Sequence, residues 1–219
     1  MEPAVSEHTR KFRREPAEQR REALIDATLS LIAEQGVRGA TVREIATRAH
    51  VTQGMIRHHF SSKEELITAA YEHHMNRMTD LTSAPAALAA GSARARLTAF
   101  VMASLTPPVV DAGSVTLWAS FLNKVHEDMQ MRIIHERTYY EFRNRLEALI
   151  AAVLSEADSA TTPRDLRLLA IACNAVIDGL WMEGGVLPGA FEQGELSEIG
   201  IRSVGAIIGI DLQEAGNQT

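Results

Sequence analysis

Two polar side chains near the front of the chain are spaced to read DNA bases. Gln53 and Arg57 are four residues apart, so they share one face if the segment is helical. Amide and guanidinium groups form hydrogen bonds with base edges in the major groove. His58 lies beside them, and Gly54 has no side chain, so the backbone there can approach a groove wall closely. The composition of this face indicates contact with DNA.

The segments before this face have the pattern of two helices and a turn. A first helix is predicted from Ala17 to Gln35, and Gly36 suits the left-handed position that ends a helix. Thr41 and Glu44 have the spacing of a capping box, which predicts the start of a second, short helix. That helix should end near Arg48, and the turn after it begins with His50, which tolerates a left-handed backbone. The first helix has one inward face, formed by Leu24, Ile25, Thr28, Leu31 and Ile32.

A third helix carries the polar face itself. Thr52 can cap it, and Ile56 and Phe60 are four residues apart and point inward. A fourth helix then opens with Lys63, and a helix N-terminus that carries a lysine suits a phosphate. Caps and apolar spacing of this kind also occur in any three-helix packing module. Two capped short helices with an outward glutamine and arginine favour a helix–turn–helix.

The segment from Arg20 to Leu66 resembles the DNA-binding domain of the TetR family of bacterial regulators. The resemblance is carried by an ordered set of motif positions: Gly36, Thr41, Ile45, Ala46, Ala49, Val51, Thr52, Gly54, His59, Phe60, Lys63 and Leu66. It implies base contacts around Gln53 and Arg57, and phosphate contacts from other members of the segment. The predicted DNA-binding residues are Thr41, Arg43, Thr52, Gln53, Gly54, Arg57, His58, His59 and Lys63.

The charge distribution agrees with a DNA-binding front. The chain has 219 residues and a net charge of −6. Residues 1–63 contain 11 Lys/Arg and 8 Asp/Glu, a net of +3, whereas residues 64–219 contain 11 and 20, a net of −9. Basic surface is therefore concentrated where phosphates would be met. Residues 1–16 form either a basic arm that lies along DNA or a solvated tail.

Cysteine usage and hydropathy indicate a cytoplasmic protein. Cys173 is the single cysteine, so an internal disulfide is impossible and a reducing compartment fits. It lies in an apolar run, which favours a buried position. The charged N-terminus lacks the apolar core of a signal peptide, and no run approaches the roughly 18 apolar residues of a membrane helix. We expect no membrane partner, cofactor or metal.

The remainder of the chain predicts an all-α fold. After a helix–turn–helix domain at 17–62, a helical regulatory and dimerisation domain is predicted at 63–212, with a flexible tail at 213–219. The predicted helices cover roughly 63–80, 93–105, 114–128, 129–156, 163–183 and 195–210. Pro85 is expected in a connection, and Gly184 and Gly185 at the end of a helix.

The last helix has small and apolar residues on one face. Gly200 and Gly205 would allow another helix to approach closely, and Val204 lies between them. In the TetR family the last two helices form a four-helix bundle across a two-fold axis, so the resemblance implies a homodimer. The alternative is core packing within one subunit.

Two tryptophans suggest a site for a small organic ligand. Trp118 lies in the segment that ends with Phe121, and Asp178 is three residues before Trp181. A tryptophan face attracts a quaternary ammonium, and a carboxylate balances its charge. These segments also resemble the BetI-like branch, whose members control choline-to-glycine-betaine synthesis and respond to choline or a related compound. Core tryptophans are the competing interpretation.

These features predict a ligand-responsive repressor that binds a pseudo-palindromic operator as a homodimer, with a choline-like effector. A regulator of another small-molecule pathway and a ligand-independent DNA-binding protein are the alternatives. The chain lacks a GxGxxG after a strand, a phosphate loop, GxSxG and HExxH. We therefore do not expect an enzyme.

Overall fold

The computed structural model describes residues 17–213, and all regular structure in that range is helical, as predicted. The helices are α1 (Ala17–Gly39), α2 (Val42–Arg48), α3 (Gln53–His59), α4 (Lys63–Leu88), α5 (Ala93–Ser104), α6 (Ala112–Glu127), α7 (Met129–Glu156), α8 (Pro163–Val186) and α9 (Glu195–Ile208). The predicted basic arm and nearly all of the predicted C-terminal tail lie outside the described residues.

The caps of the first three helices follow the sequence pattern. Gly36 has a φ of 71° and interrupts α1. Thr41 and Glu44 form the predicted capping box at α2. His50 takes a left-handed φ of 54° in the turn, which a histidine accepts better than most residues. Thr52 occupies the N-cap position of α3 but its side chain makes no capping hydrogen bond.

One apolar core joins the front helices to the rest of the molecule. It holds the inward residues of α1, α2 and α3, and it continues into the first turns of α4. Phe121 and Val125 of α6, with Met131 and Ile134 of α7, are also part of it. The core therefore crosses the domain boundary that the sequence suggested at residue 62.

The fourth helix is longer than predicted. It continues to Leu88 and includes Pro85, which we expected in a connection. Proline removes one hydrogen bond from a helix interior and clashes with the preceding turn. Ala86 is buried in a second apolar core, which is formed mainly by α5, α7, α8 and α9. The Ala89 N–H donates to the Pro85 carbonyl at 2.9 Å. Packing of α4 against α5 maintains the last turn.

Gly184 and Gly185 do not end α8, which is a second correction. Both are buried inside the helix. A Cβ at Gly185 would lie 2.3 Å from Val115 Cγ2 and 3.2 Å from the Asp111 carbonyl oxygen. Gly185 is needed for the close approach of α8 to the start of α6, whereas a Cβ at Gly184 would lie 2.5 Å from Leu196 Cδ2 of α9. Neither requirement appears in a local sequence pattern.

The glycine face of α9 is packed inside the subunit. A Cβ at Gly200 would lie 2.2 Å from Leu105 Cδ1, immediately after α5. Ile201 and Val204 belong to the same core as Leu97 and Phe100 of α5. The close helix approach that the glycines predicted therefore occurs between α9 and α5 of the same chain. This agrees with the alternative of core packing within one subunit.

Helix α8 is apolar on two sides. Its inward side is buried, including Ala170 and Cys173. Its outer side carries an apolar stripe at alternating spacings of four and three, formed by Leu168, Ala172, Ala175, Gly179, Met182 and Val186. Ala175, Gly179 and Met182 of this stripe also border the cavity described below. Because both sides are apolar, an 18-residue window of α8 reaches a mean hydropathy of 1.2, enough by length and composition for a membrane span. The sequence analysis did not anticipate this value.

Candidate functional site

The predicted reading face lies on the outside of α3. Gln53, Gly54, Arg57 and His58 are exposed, whereas Ile56 is buried. The helix is fixed because Ile56 and Phe60 enter the core beside α1 and α2. A stiffly held helix with an outward amide and guanidinium can present both to a groove.

The residues expected to contact phosphates surround this face. They differ in their exposure and in the hydrogen bonds that they already make. Arg43 and Thr52 are exposed, and Lys63 is half-buried at the start of α4. The Thr41 hydroxyl donates to Glu44 Oε2 at 2.8 Å, so a phosphate contact would require that bond to open. Ser62 accepts from the Glu65 N–H at 3.0 Å, and this cap fixes the start of α4.

An ion pair braces the front helices against each other. Arg48 of α2 donates to the Glu34 carboxylate of α1 through its two terminal nitrogens, Nη1 at 2.5 Å and Nη2 at 2.7 Å. Its Nη1 also donates to Ser30 Oγ at 2.6 Å. The hydrogen bond from Arg48 lowers the pKa of Glu34. Arg48 is therefore a structural residue, in contrast to the outward Arg57.

His59 points away from the reading face. It is half-buried, its ring meets that of His58 edge-on at 5.2 Å, and its Nε2 is buried without a hydrogen-bond partner. A phosphate contact from His59 would require the ring to turn, whereas His58 is exposed already.

The second candidate site is a cavity of about 510 Å³ in the rear of the molecule. It is enclosed mainly by α4, α6, α7 and α8. Its lining is apolar and aromatic with few polar groups: His74, Met75, Met78, Thr79, Thr82, Ser104, Val109, Trp118, His135, Tyr139, Phe142, Ala175, Ile177, Asp178, Gly179, Trp181 and Met182. Pockets with this composition commonly hold small organic ligands.

Both tryptophans lie at this cavity. The rings of Trp118 and Trp181 meet edge to face, with centroids 5.8 Å apart and an interplanar angle of 85°. The Trp181 indole N–H donates to the Val109 carbonyl at 2.8 Å, which fixes the ring. Both rings line the cavity, and the face of a tryptophan ring attracts a cation.

Asp178 is the acidic group of the cavity. Its Oδ2 accepts hydrogen bonds from the Tyr139 hydroxyl at 2.7 Å and from Asn174 Nδ2 at 2.8 Å. Burial raises the pKa of Asp178, and the two hydrogen bonds oppose that rise. The same environment raises the pKa of Tyr139 to about 12, chiefly through burial. Among residues 17–213, Asp178 has no ion-pair partner, and the cavity lining includes neither lysine nor arginine.

Two histidines at the cavity are uncharged near neutral pH. Burial lowers the pKa of His74 to about 4, and the nearby charge of Arg77 acts in the same direction. Burial also lowers the pKa of His135. Asp178 is therefore the acidic side chain that the lining offers to a cationic ligand.

Phe121 does not line the cavity, which corrects the sequence prediction. It is fully buried in the front core, and its ring lies 4.8 Å from that of Tyr71. The Tyr71 hydroxyl in turn meets His135 Nδ1 at 2.5 Å. Phe121 is three residues after Trp118, which placed it near the site in sequence, but α6 enters the front core at that point.

Sequence reasoning missed the side chains of α4 and α7 that complete the cavity. His135, Tyr139 and Phe142 recur on one face of α7 at helical spacing, and this aromatic stripe was the signal available. Charged residues such as Glu136, Arg137 and Glu141 lie between the stripe positions and obscure it in the sequence. Within residues 17–213, no cluster of three or more His, Cys, Asp or Glu side chains could hold a metal ion.

Comparison with known proteins identifies the class. Residues 24–70 match the family model of bacterial regulatory proteins of the tetR family, and residues 93–209 match the C-terminal domain of BetI-type transcriptional repressors. The chain belongs to the TetR family of transcriptional regulators, with a BetI-type C-terminal domain, and is not an enzyme. It is 32% identical to the HTH-type transcriptional regulator BetI of Burkholderia thailandensis over 174 residues, which are 79% of this chain and 85% of that protein.

Solved structures show the same fold. A transcriptional regulator from Pseudomonas aeruginosa PAO1 superposes with a TM-score of 0.82 at 32% identity, covering 91% of this chain and 95% of that one. A regulator from Saccharomonospora viridis in complex with choline has a TM-score of 0.68 at 21% identity, covering 88% and 96%. At that identity the second similarity concerns the fold alone.

Proposed function

We propose that this regulator is a cytoplasmic, ligand-responsive repressor that grips a pseudo-palindromic operator as a homodimer and releases it when an organic cation with a choline-like head binds the cavity. One observation carries the choice of ligand. Asp178 is a largely buried carboxylate that the described residues leave without a cationic partner.

The DNA interface is formed by the outward face of α3 and the residues around it. Gln53 and Arg57 read base edges, and Gly54 lets the backbone approach. Arg43, Thr52, His58 and Lys63 contact phosphates, which fix the register but carry no sequence information. Thr41 and His59 contribute after the local rearrangements described above.

A second copy of the chain covers the apolar stripe of α8. The alternating spacing of four and three is that of helices packed side by side, and Ala172, Ala175 and Gly179 permit close approach. Exposed Ile199 of α9 extends the apolar surface. A two-fold dimer places its reading helices roughly 34–36 Å apart, which matches successive major grooves.

The ligand supplies the charge that the cavity lacks. Burying a carboxylate without a partner is costly, so an ammonium between Asp178 and the tryptophan rings gains both ion pairing and cation–π attraction. Glycine betaine carries a carboxylate of its own, which would meet Asp178 with no lysine or arginine in the lining to receive it. We therefore favour choline and betaine aldehyde over glycine betaine as effectors.

Ligand binding reaches the DNA-binding helices through α4 and α6. His135 lies at the cavity and contacts Tyr71, which packs on Phe121 within the front core. The lining residues of α4 lie on the same helix as Lys63. A ligand that prefers the released arrangement changes the spacing of the reading helices. Coupling in such systems lowers DNA affinity by about 5- to 150-fold.

The test is a fluorescence-anisotropy titration of the full-length protein with DNA from upstream of its own gene. It is run with and without choline, betaine aldehyde and glycine betaine. We expect choline and betaine aldehyde to weaken binding and glycine betaine to have little effect. Asp178→Asn should raise the choline concentration needed by about tenfold or more, because an ion pair is lost, and leave ligand-free DNA affinity unchanged.

Glu183→Gln is the matched control, because it removes one exposed carboxylate from the same helix. It should respond to choline like the unchanged protein. Operator binding that none of the three compounds alters would reject the choline-class effector and leave two alternatives, a regulator of another small-molecule pathway and a ligand-independent DNA-binding protein. An equal response of Asp178→Asn would reject the assigned ion pair.

A further inference from the structure

We infer that the cavity is built for an amphipathic quaternary ammonium, with a trimethylammonium head and an unbranched apolar tail, in preference to free choline. The inference rests on the proposed function, since it concerns the same cavity and the same head site. It adds the second half of the ligand, which the tryptophans and Asp178 do not specify.

The cavity is larger than choline requires. Its volume of about 510 Å³ lies within the range of roughly 300–1,000 Å³ that holds drug-sized ligands. Choline consists of a trimethylammonium head and one hydroxyethyl arm. A ligand of that size would occupy the head site and leave apolar wall uncovered.

The unused space extends along two helices. On α4 the lining runs from His74 to Thr82, a rise of about 12 Å at the helical repeat. On α7 it runs from His135 to Phe142, about 10 Å. The two helices run in the same direction, because Glu72 faces Arg137 and Asp80 faces Arg145. Thr82 and Phe142 therefore lie at the same end of the cavity.

The two ends of the cavity differ in chemistry. At the head end, Asp178 accepts a hydrogen bond from the Tyr139 hydroxyl, Trp181 lies three residues after Asp178 on α8, and Trp118 meets Trp181. At the tail end, Phe142 packs against Phe100 of α5 with ring centroids 5.1 Å apart and an interplanar angle of 42°, and Met78 adds an unbranched thioether chain. The tail end is therefore lined largely by apolar side chains, which an apolar tail would cover.

The hydroxyl groups toward the tail end already donate hydrogen bonds to backbone carbonyls. Thr79 donates to the Met75 carbonyl at 3.1 Å, Thr82 to the Thr79 carbonyl at 2.8 Å, and Ser104 to the Phe100 carbonyl at 2.8 Å. Their hydrogens are unavailable to a ligand. Methionine side chains adapt to chains of different shape, so Met75 and Met78 can follow a flexible tail.

The protein carries its own reporter for this site. Trp118 and Trp181 are the two tryptophans of the chain, and both line the cavity. We would titrate the full-length protein with tetramethylammonium, choline, and butyl-, hexyl- and octyltrimethylammonium, each below its micelle concentration, and follow tryptophan fluorescence. Affinity should rise about fourfold for each added methylene, which corresponds to ~0.8 kcal/mol, and should level off once the tail reaches Thr82.

Two variants separate the tail from the head. Thr82→Met fills the tail end and should abolish the gain from hexyl to octyl while leaving tetramethylammonium affinity unchanged. Thr116→Met introduces the same side chain at an exposed position of α6 and should leave the whole series unchanged. The chain-length series is measured on the unaltered protein. It therefore tests the inference even if the Thr82→Met variant folds poorly.

The outcomes distinguish this inference from the proposed function. Choline that binds at least as tightly as the octyl homologue would overturn the inference and leave the choline-type repressor intact. A matched primary alcohol that binds as tightly as the octyl cation would overturn the cation site itself, and with it the proposed function. A rising series that the alcohol does not reproduce supports both.

Discussion

The two functional regions of this regulator are built in opposite ways. The reading face of α3 draws its main residues from one short helix and exposes them to solvent. The cavity draws its lining from five helices spread between His74 and Met182 and buries it. The first region can be recognised in a single segment of sequence, whereas the second exists only after the chain has folded.

This difference follows from what each region is proposed to bind. DNA offers a large, charged, external surface, so its partner must be convex and polar. A small cation is bound by exclusion of water, so its site must be concave and mostly apolar, with few polar groups. The two regions meet through the core that contains Tyr71 and Phe121, which belongs to neither site.

The largest expected effect tests whether the front region depends on the rear one. Ala172→Arg places a charge in the apolar stripe of α8 and should convert the dimer to a monomer. Operator affinity should then fall by about a hundredfold or more, because two linked half-sites bind with far greater avidity than one. Sedimentation and anisotropy measure the two quantities. Ala119→Arg, at an exposed position of α6, should change neither, and a dimeric Ala172→Arg protein would refute the interface.

The next effect concerns the buried histidine of the rear region. The pKa of His74 is about 4 in the folded protein and roughly 6.5 unfolded, so the unfolded chain binds more protons in between. His74 therefore favours folding fully above about pH 6.5, and this contribution is lost as the pH falls toward 4. The free energy of unfolding should drop by about 3 kcal/mol over that range.

Denaturant titrations at several pH values check this expectation against a neighbour. His74→Leu should flatten the drop, whereas His73→Leu, at a less buried position beside it, should retain it. A drop of equal size in both variants would show that other groups cause the acid sensitivity.

A smaller effect distinguishes base recognition from non-specific electrostatic attraction to DNA in the front region. Arg57→Ala should cost about 1–3 kcal/mol on the operator and little on mismatched DNA, because it removes a base contact. Arg38→Ala removes the same charge at the end of α1 and should weaken both DNAs alike. Anisotropy titrations with operator and scrambled duplexes measure the ratio. An unchanged ratio in Arg57→Ala would remove it from the reading face.

The smallest effect concerns the helix start that both regions share. Lys63→Ala should weaken binding to every DNA sequence by a few-fold and reduce the salt slope by about one, since one phosphate contact is lost. Affinities at several salt concentrations give the slope. An unaltered slope would mean that Lys63 acts only as the first residue of α4.

Local sequence signals were reliable wherever the physics is local. The capping box at Thr41, the left-handed turn at His50 and the positive φ at Gly36 each depend on a few adjacent residues, and each was confirmed, although α1 continues past Gly36 to Gly39. The starts of α7 and α8 follow from Asp128 and Thr162 in the same way. A cap or a turn needs no distant partner, so one segment contains the whole signal.

Predictions failed where a distant partner decides the outcome. Pro85 and Gly185 have the local character of chain breaks, yet packing against α5 and α6 keeps both inside helices. Phe121 was assigned to the ligand by its nearness to Trp118 in sequence, although it packs on Tyr71 instead. Tyr139 and Asn174 reach Asp178 from positions 39 and 4 residues away.

The sequence by itself determined the family, the all-helical class and the outward face of α3, because helix caps and apolar periodicity are encoded within a few turns. Tertiary structure alone decided that the two tryptophans share a cavity with Asp178, that this carboxylate lacks a cationic partner among the described residues, and that the glycines of α9 serve its own subunit. These facts depend on contacts between helices far apart in the chain, and such contacts follow only from how the apolar surfaces pack together.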